Sequence, residues 1–242
     1  MCIRDRDITD GKEIQGAKLQ VIDKDGKVFD EWTTEEEHFI EYITVGTYTL
    51  REKAAVDGYV IANDVEFEVK ETGDIQKVKM EDERAMGRLV IQKTDAQSKE
   101  ALSGVEFTLT EKESGKEVAK LTTDKDGRAE SELLPIGTYE NGVFKEKMMY
   151  ILKESKVLEG YEKSEEEWEI VFEYQGDKTP VIEVLKEIQN KKLPETTATP
   201  KGNGPKTGDT TNWLLPVLGV AIGGCGSIYV LYQMRRRRKK AK

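Results

Sequence analysis

Apolar and polar residues alternate in short runs over most of this chain. Val65, Phe67 and Val69 form one such run, and Phe107 and Leu109 form another. A period of two puts successive side chains on opposite faces, the pattern of a half-buried strand. The runs are cut by Asp25-Gly26, Asp126-Gly127, Glu159-Gly160 and Gly176-Asp177, dipeptides that suit tight turns. No long helical period appears apart from the acidic stretch Glu35 to Glu37. Many short strands at regular spacing predict β-sandwich architecture. The exception is Trp213 to Met234, a run of 22 residues without a charge. As a helix it spans about 33 Å, enough for a bilayer core of about 30 Å. Gly219 and Gly223 within it form a weak GxxxG dimerisation signal.

Between residues 7 and 192 the strand pattern occurs twice. Leu19 and Val21 in Gly16-Ala17-Lys18-Leu19-Gln20-Val21 match Phe107 and Leu109 in Gly104-Val105-Glu106-Phe107-Thr108-Leu109. Tyr48-Thr49-Leu50-Arg51-Glu52 and Gly58-Tyr59 match Tyr150-Ile151-Leu152-Lys153-Glu154 and Gly160-Tyr161. Both copies have a Gly-Thr-Tyr, at 46–48 and 137–139; in the second, an insertion containing Asn141-Gly142 separates it from Tyr150. The expected organisation is all-β: two tandem sandwich domains at 1–85 and 86–192, a linker at 193–204, and a C-terminal segment at 205–242 holding one transmembrane helix.

Charge gives the topology. The formal net charge is −9, but residues 208–242 hold seven cations and Asp209, a net of +6, which leaves −15 on residues 1–207. Seven cations in the last eight residues keep that end in the cytoplasm and place everything before Trp213 outside. So acidic an exported portion repels nucleic acid and anionic membrane. Its folded part has no cysteine, since Cys2 lies at the edge of the chain and Cys225 in the apolar span. An extracellular protein without disulfides needs another device against unfolding.

Pro205-Lys206-Thr207-Gly208 stands immediately outside the apolar run. Motif, span and basic tail together resemble the sorting signal of Gram-positive proteins attached to the cell wall by sortase. The resemblance implies cleavage between Thr207 and Gly208, and transfer of the threonine carbonyl to an amine of peptidoglycan or of a pilus subunit. Gly204 stands where the commonest pattern has Leu, which leaves the sortase class open. Leu193-Pro194-Glu195-Thr196 looks like a second motif, but Thr197 follows where Gly is needed, so it reads as extended linker. Met1 to Arg6 has no apolar signal region and resembles translated sequencing-adapter sequence, so the chain is expected to be the C-terminal part of a longer surface protein.

The repeated blocks, with Lys93-Thr94-Asp95 in an opening strand and Asn190 in a last one, resemble the collagen-adhesin B-type, SpaA-like domains of Gram-positive pilins and adhesins. An Ig-like or prealbumin-like sandwich is the fold this implies. Parity places three polar side chains in the second core: Lys93 with Leu89 and Ile91, Glu154 with Tyr150 and Leu152, and Asn190 with Ile188 and Val184. Lys186 interrupts the last alternation. Left unpaired, each would cost a few kcal/mol to bury. Burial drives lysine toward the nucleophilic amine. The resemblance implies that Lys93 attacks the Asn190 amide while a protonated Glu154 polarises the carbonyl and shuttles protons. Ammonia leaves and an isopeptide bond remains. The alternative is that Lys93 reaches solvent and Asn190 merely ends a strand.

In the first copy Glu52 aligns with Glu154 and Asp82 with Asn190, but the lysine position falls on Asp5. Either a native lysine was lost there or this copy forms no bond. No metal or cofactor site is expected. Asp23-Lys24-Asp25-Gly26 and Asp124-Lys125-Asp126-Gly127 open like calcium loops, but Lys27 and Arg128 occupy the third ligand place, so both read as turns. His38, the only histidine, reads as an exposed loop residue. The expected function is the stalk of a wall-anchored adhesin or pilin-like protein, not an enzyme, with sortase and a wall or pilus amine as partners and a host or matrix protein left open as a ligand. The alternatives are a ligand-binding surface module and the anchor region of a surface enzyme.

Overall fold

In the computed structural model, which describes residues 1–194, the chain is built from eighteen strands, with no helix among the described residues. The first copy comprises β1 (Cys2–Asp7), β2 (Lys18–Asp23), β3 (Val28–Thr33), β4 (His38–Phe39), β5 (Gly46–Ala54), β6 (Tyr59–Val60), β7 (Val65–Val69) and β8 (Lys77–Arg84). Its two sheets have the strand orders β4-β1-β8-β6 and β3-β2-β5-β7. Leu19, Val21, Leu50 and Met80 point between them, each the apolar member of an alternating run, and form its core with Ile3.

The second copy repeats the plan with β9 (Met86–Asp95), β10 (Glu106–Glu111), β11 (Glu117–Thr122), β12 (Arg128–Glu130), β13 (Leu134–Pro135), β14 (Gly137–Glu140), β15 (Val143–Lys147), β16 (Met149–Lys156), β17 (Glu167–Val171) and β18 (Val181–Asn190). One sheet runs β11-β10-β16-β17; the other is centred on β9, which pairs with β12, β13 and β18. The last strand of each copy lies parallel to the first: β8 beside β1, and β18 beside β9. The registers agree, because Asp5 lies opposite Met80 and Lys93 opposite Ile188, each two residues short of the polar residue that ends its face.

Two expectations change. Glu35 to Glu37 forms no helix and leads into β4. His38 is not a free loop residue: its ring stacks on Trp32 at 4.0 Å and its Nε2 lies 2.8 Å from Asp30, which half-buries it. The opening residues supply β1, with Cys2 and Ile3 buried and a six-residue ladder to β8.

The two copies share a contact surface. Ala85 alone separates β8 from β9, and it is fully buried. The insertion of the second copy is the β14–β15 hairpin, turned by Asn141 (φ 51°) and Gly142 (φ 70°), the left-handed pair that a two-residue turn requires. It sits on the first copy: Tyr139 donates its hydroxyl to the Gly58 carbonyl at 2.7 Å, and its ring meets Tyr59 at 5.2 Å. The Arg84 guanidinium covers the Tyr139 ring at 4.2 Å. At Gly58 (φ +87°) a side chain would collide with Phe144. Tyr174 donates to the Tyr59 carbonyl at 2.7 Å, and Ile61 N–H donates to the Asp177 carbonyl at 2.8 Å.

Candidate functional site: a sealed lysine–asparagine–glutamate cluster

Lys93 lies on β9 with Leu89 and Ile91 on its face, and all three are fully buried. Its backbone is held on one side by the Gly127 carbonyl at 2.7 Å and by Leu102 N–H at 3.0 Å, and on the other by β18. A side chain on a strand fixed in this way cannot swing to solvent. Asn190, at the end of β18, is 2 % exposed, and Glu154, on the facing sheet, is also 2 % exposed. The site therefore joins the two layers of the sandwich from within.

The three side chains form a chain of contacts. Lys93 Nζ donates to Asn190 Oδ1, Asn190 Nδ2 donates to Glu154 Oε1 at 2.8 Å, and Lys93 Nζ lies 3.5 Å from that same Oε1. The other glutamate oxygen, Oε2, accepts the Ser164 backbone N–H at 2.6 Å, which orients the carboxyl toward the pair. Burial pushes the Lys93 ammonium below the ordinary lysine range, against the opposing pull of Glu154. An amine, a side-chain amide and a carboxyl thus meet in a core that includes Phe107, Leu152 and Ile188, an arrangement in which an amine can attack an amide beside a group able to move protons. Lys186, which blurred the reading of this strand, sits 5.8 Å above the Trp168 ring, outside the cluster.

The first copy has the same frame with different groups. Glu52 Oε2 accepts Ala62 N–H at 2.6 Å, as Glu154 accepts that of Ser164. Asp82 ends its face as Asn190 does, and Asp5 occupies the lysine place. Burial, reinforced by Glu52, pushes the Asp5 carboxyl up to about 7; burial, then Asp5 and Glu52, push Asp82 up to about 10. A second shared feature escaped the sequence reading. The Asp two residues beyond the lysine place binds the tyrosine of the Gly-Tyr block in each copy: Tyr59 donates to Asp7 at 2.8 Å, and Tyr161 donates to Asp95 at 3.0 Å. Both motifs were visible as repeats, but nothing local tells that they touch.

The copies can now be placed among known proteins. Residues 1–84 and 87–187 match SpaA, a prealbumin-like fold domain. The chain belongs to the SpaA family. Its two SpaA domains resemble the Bacillus anthracis TIE protein at 26 % identity and a TM-score of 0.58, over 79 % of this chain and 34 % of that one. The chain thus spans about a third of that protein's length. GBS52, the minor pilin of Streptococcus agalactiae, matches at 19 % identity and a TM-score of 0.35, over 86 % of this chain and 98 % of that one. A streptococcal ancillary pilin matches at 18 % identity and a TM-score of 0.36, over 80 % and 62 %. These two likenesses are too distant to carry an argument. No curated protein matches the sequence. Pro205, Lys206, Thr207 and Gly208, with the apolar span, lie outside the described residues.

Proposed function

We propose that this chain is the anchoring end of a Gram-positive surface protein. Its two SpaA domains form a stalk, the second locked by a Lys93–Asn190 isopeptide bond, and sortase joins the stalk to the wall at Thr207. The observation that supports this best is the sealed contact of Lys93, Asn190 and Glu154, where neither the lysine nor the glutamate side chain is exposed. Such a group is expensive to bury as a mere polar cluster. One condensation accounts for all three members. Glu154 takes a proton from Lys93, and the free amine attacks the Asn190 side-chain carbon. Glu154 passes that proton to the departing nitrogen and takes the second proton from the attacking one, so ammonia leaves, a C–N bond replaces a C–N bond, and Glu154 ends protonated. The event happens once per molecule and makes the protein a scaffold, not an enzyme.

The anchor rests on sequence. Pro205-Lys206-Thr207-Gly208, the 22-residue apolar run and the basic tail stand in the order that a sorting signal needs, with 193–204 as an extended linker. The mature protein then sits on the cell surface, its partners sortase and an amine of peptidoglycan or of a pilus subunit. Expression in a sortase-bearing Gram-positive host tests this half. Protein released from the wall by a muramidase should end at Thr207, and Thr207→Ala should stay detergent-extractable. Wall-bound protein that keeps residues 208–242 would refute the anchoring.

A further inference from the structure

One short segment touches the strand of every member of the reactive trio. Residues 160–164 lie between β16 and β17, at the end of the sandwich where β9 and β18 stop. Tyr161 donates its hydroxyl at 3.0 Å to Oδ2 of Asp95, two residues beyond Lys93. Asp95 is 3 % exposed, and its Oδ1 accepts the N–H groups of Gln97 and Ser98 at 2.7 and 2.8 Å, so the acceptor is itself fixed. Beyond Asn190 the chain pairs with the same segment. Glu162 N–H donates to the Lys191 carbonyl at 2.9 Å, and Leu193 N–H donates to the Gly160 carbonyl at 2.8 Å. The Lys192 ammonium lies 6.0 Å from the centre of the Tyr161 ring. Ser164 then donates its N–H to Glu154. These five residues grip both parallel strands and end on the carboxyl. The first copy repeats the ties, with Tyr59 on Asp7, Ala62 N–H on Glu52 and Ala85 N–H on the Gly58 carbonyl. There Tyr59 is fully buried, whereas Tyr161 is half-buried and Leu193 exposed.

We propose that residues 160–164 are a positioning strap for the condensation, with Tyr161 as the positioning residue: pinned to Asp95, the strap holds the Ser164 N–H on Glu154 Oε2 and so keeps Oε1 on the Asn190 amide. This rests on the cross-link reading above. The last torsion of a glutamate side chain is soft, and a carboxyl free to turn about it would misplace the proton-transfer oxygen relative to both nitrogens. One fixed N–H on Oε2 removes that freedom. The strap takes its own hold from the ends of β9 and β18, the strands that carry Lys93 and Asn190. Glu154 is therefore set only once both of those strands have docked, which couples the chemistry to completed folding. The Tyr161 hydroxyl is bonded to Asp95 and moves no proton of the reaction itself.

The strap recurs in a copy that has no lysine at the reactive place, so stability and rate have to be read separately. The test uses the full chain, taken unreacted from inclusion bodies in urea and refolded into detergent at pH 7, with ammonia loss followed by intact mass over time. Tyr161→Phe should slow bond formation by about five- to tenfold, the share of one hydrogen bond. Tyr150→Phe removes the hydroxyl bond to the Pro135 carbonyl at the other end of the same domain. It should lower the urea midpoint comparably and leave the rate unchanged. Ser164→Pro deletes the N–H itself and should slow the reaction at least as much as Tyr161→Phe. Adding Tyr161→Phe to it should slow the reaction no further, because the link through which Tyr161 acts is already cut. The contrast between Tyr161→Phe and Tyr150→Phe decides the matter even if Ser164→Pro does not fold. Equal rates in wild type and Tyr161→Phe, equal slowing in Tyr150→Phe, or additive slowing in the double variant would each overturn the strap's role while the cross-link stands. A wild type that folds and never loses ammonia would overturn the cross-link, and the strap's role with it.

Discussion

Lys93 Nζ stands 3.5 Å from Oε1 of Glu154, and neither side chain is exposed. In water this would be an ion pair of little worth; in a closed core burial pushes Lys93 toward the free amine, against the pull of Glu154. The Asn190 amide touches both groups. Each consequence below depends on that placement or on the frame that holds it.

Glu154→Gln keeps the shape and a hydrogen bond to Asn190 but cannot take the Lys93 proton. Bond formation should slow by about 10²–10⁴-fold, the usual share of a positioned acid–base group. Mass spectra collected over time after refolding measure it. Unchanged kinetics would remove Glu154 from the reaction.

Lys93→Met fills the same volume without an amine. Lys93 and Asn190 are 97 residues apart, so, by analogy with a disulfide, loss of the proposed bond should cost the variant about 4 to 5 kcal/mol of stability in the second domain. Urea unfolding followed by Trp168 measures this. A loss below about 1 kcal/mol would mean that no loop is closed.

Asp7 gives the pH dependence. Burial raises its carboxyl, but the Thr9 N–H, the Tyr59 hydroxyl and Arg84 outweigh that and hold it below the usual carboxylate range. A depressed folded value means stability that is present above the unfolded pKa, about 3.9, and lost as pH falls through the folded one. Unfolding of the first domain should therefore ease below about pH 4 in wild type. Asp7→Asn should lack this component and be less stable at pH 7. Parallel pH profiles of the two proteins would show otherwise.

Tyr139→Ala removes the hydroxyl bond to Gly58, the ring beneath Arg84 and the contacts with Tyr59 and Phe144. It should cost about 3 kcal/mol and separate the unfolding of the two domains. Differential calorimetry checks this: one added transition is expected, and an unchanged trace would make the hairpin incidental.

Much of this was legible in the residues. Strict alternation in Leu89-Val90-Ile91-Gln92-Lys93 and in Tyr150 to Glu154 leaves little choice of face, and both polar side chains point inward with their apolar neighbours. Asn190 was harder because Lys186 breaks its run; the strand tolerates it by laying the ammonium over Trp168. The insertion around Asn141-Gly142 was recognisable as a turn, but its seat on Gly58 and Tyr59 is a contact between distant segments that no local pattern announces. Asp5 was placed at the lysine position by the repeat alone, and the parallel pairing of β1 with β8 puts it beside the strand that ends in Asp82. His38 was misread because a lone histidine carries no sign of the Trp32 ring beneath it.

The most direct test is the intact mass of the folded chain. Wild type should be lighter than its sequence by one ammonia, and a tryptic digest should yield a branched peptide joining the segments that hold Lys93 and Asn190. Lys93→Ala and Asn190→Ala should each restore the full mass. A wild-type chain that is fully folded yet shows its full sequence mass would contradict the account, leaving Lys93, Glu154 and Asn190 as a buried polar cluster and nothing more.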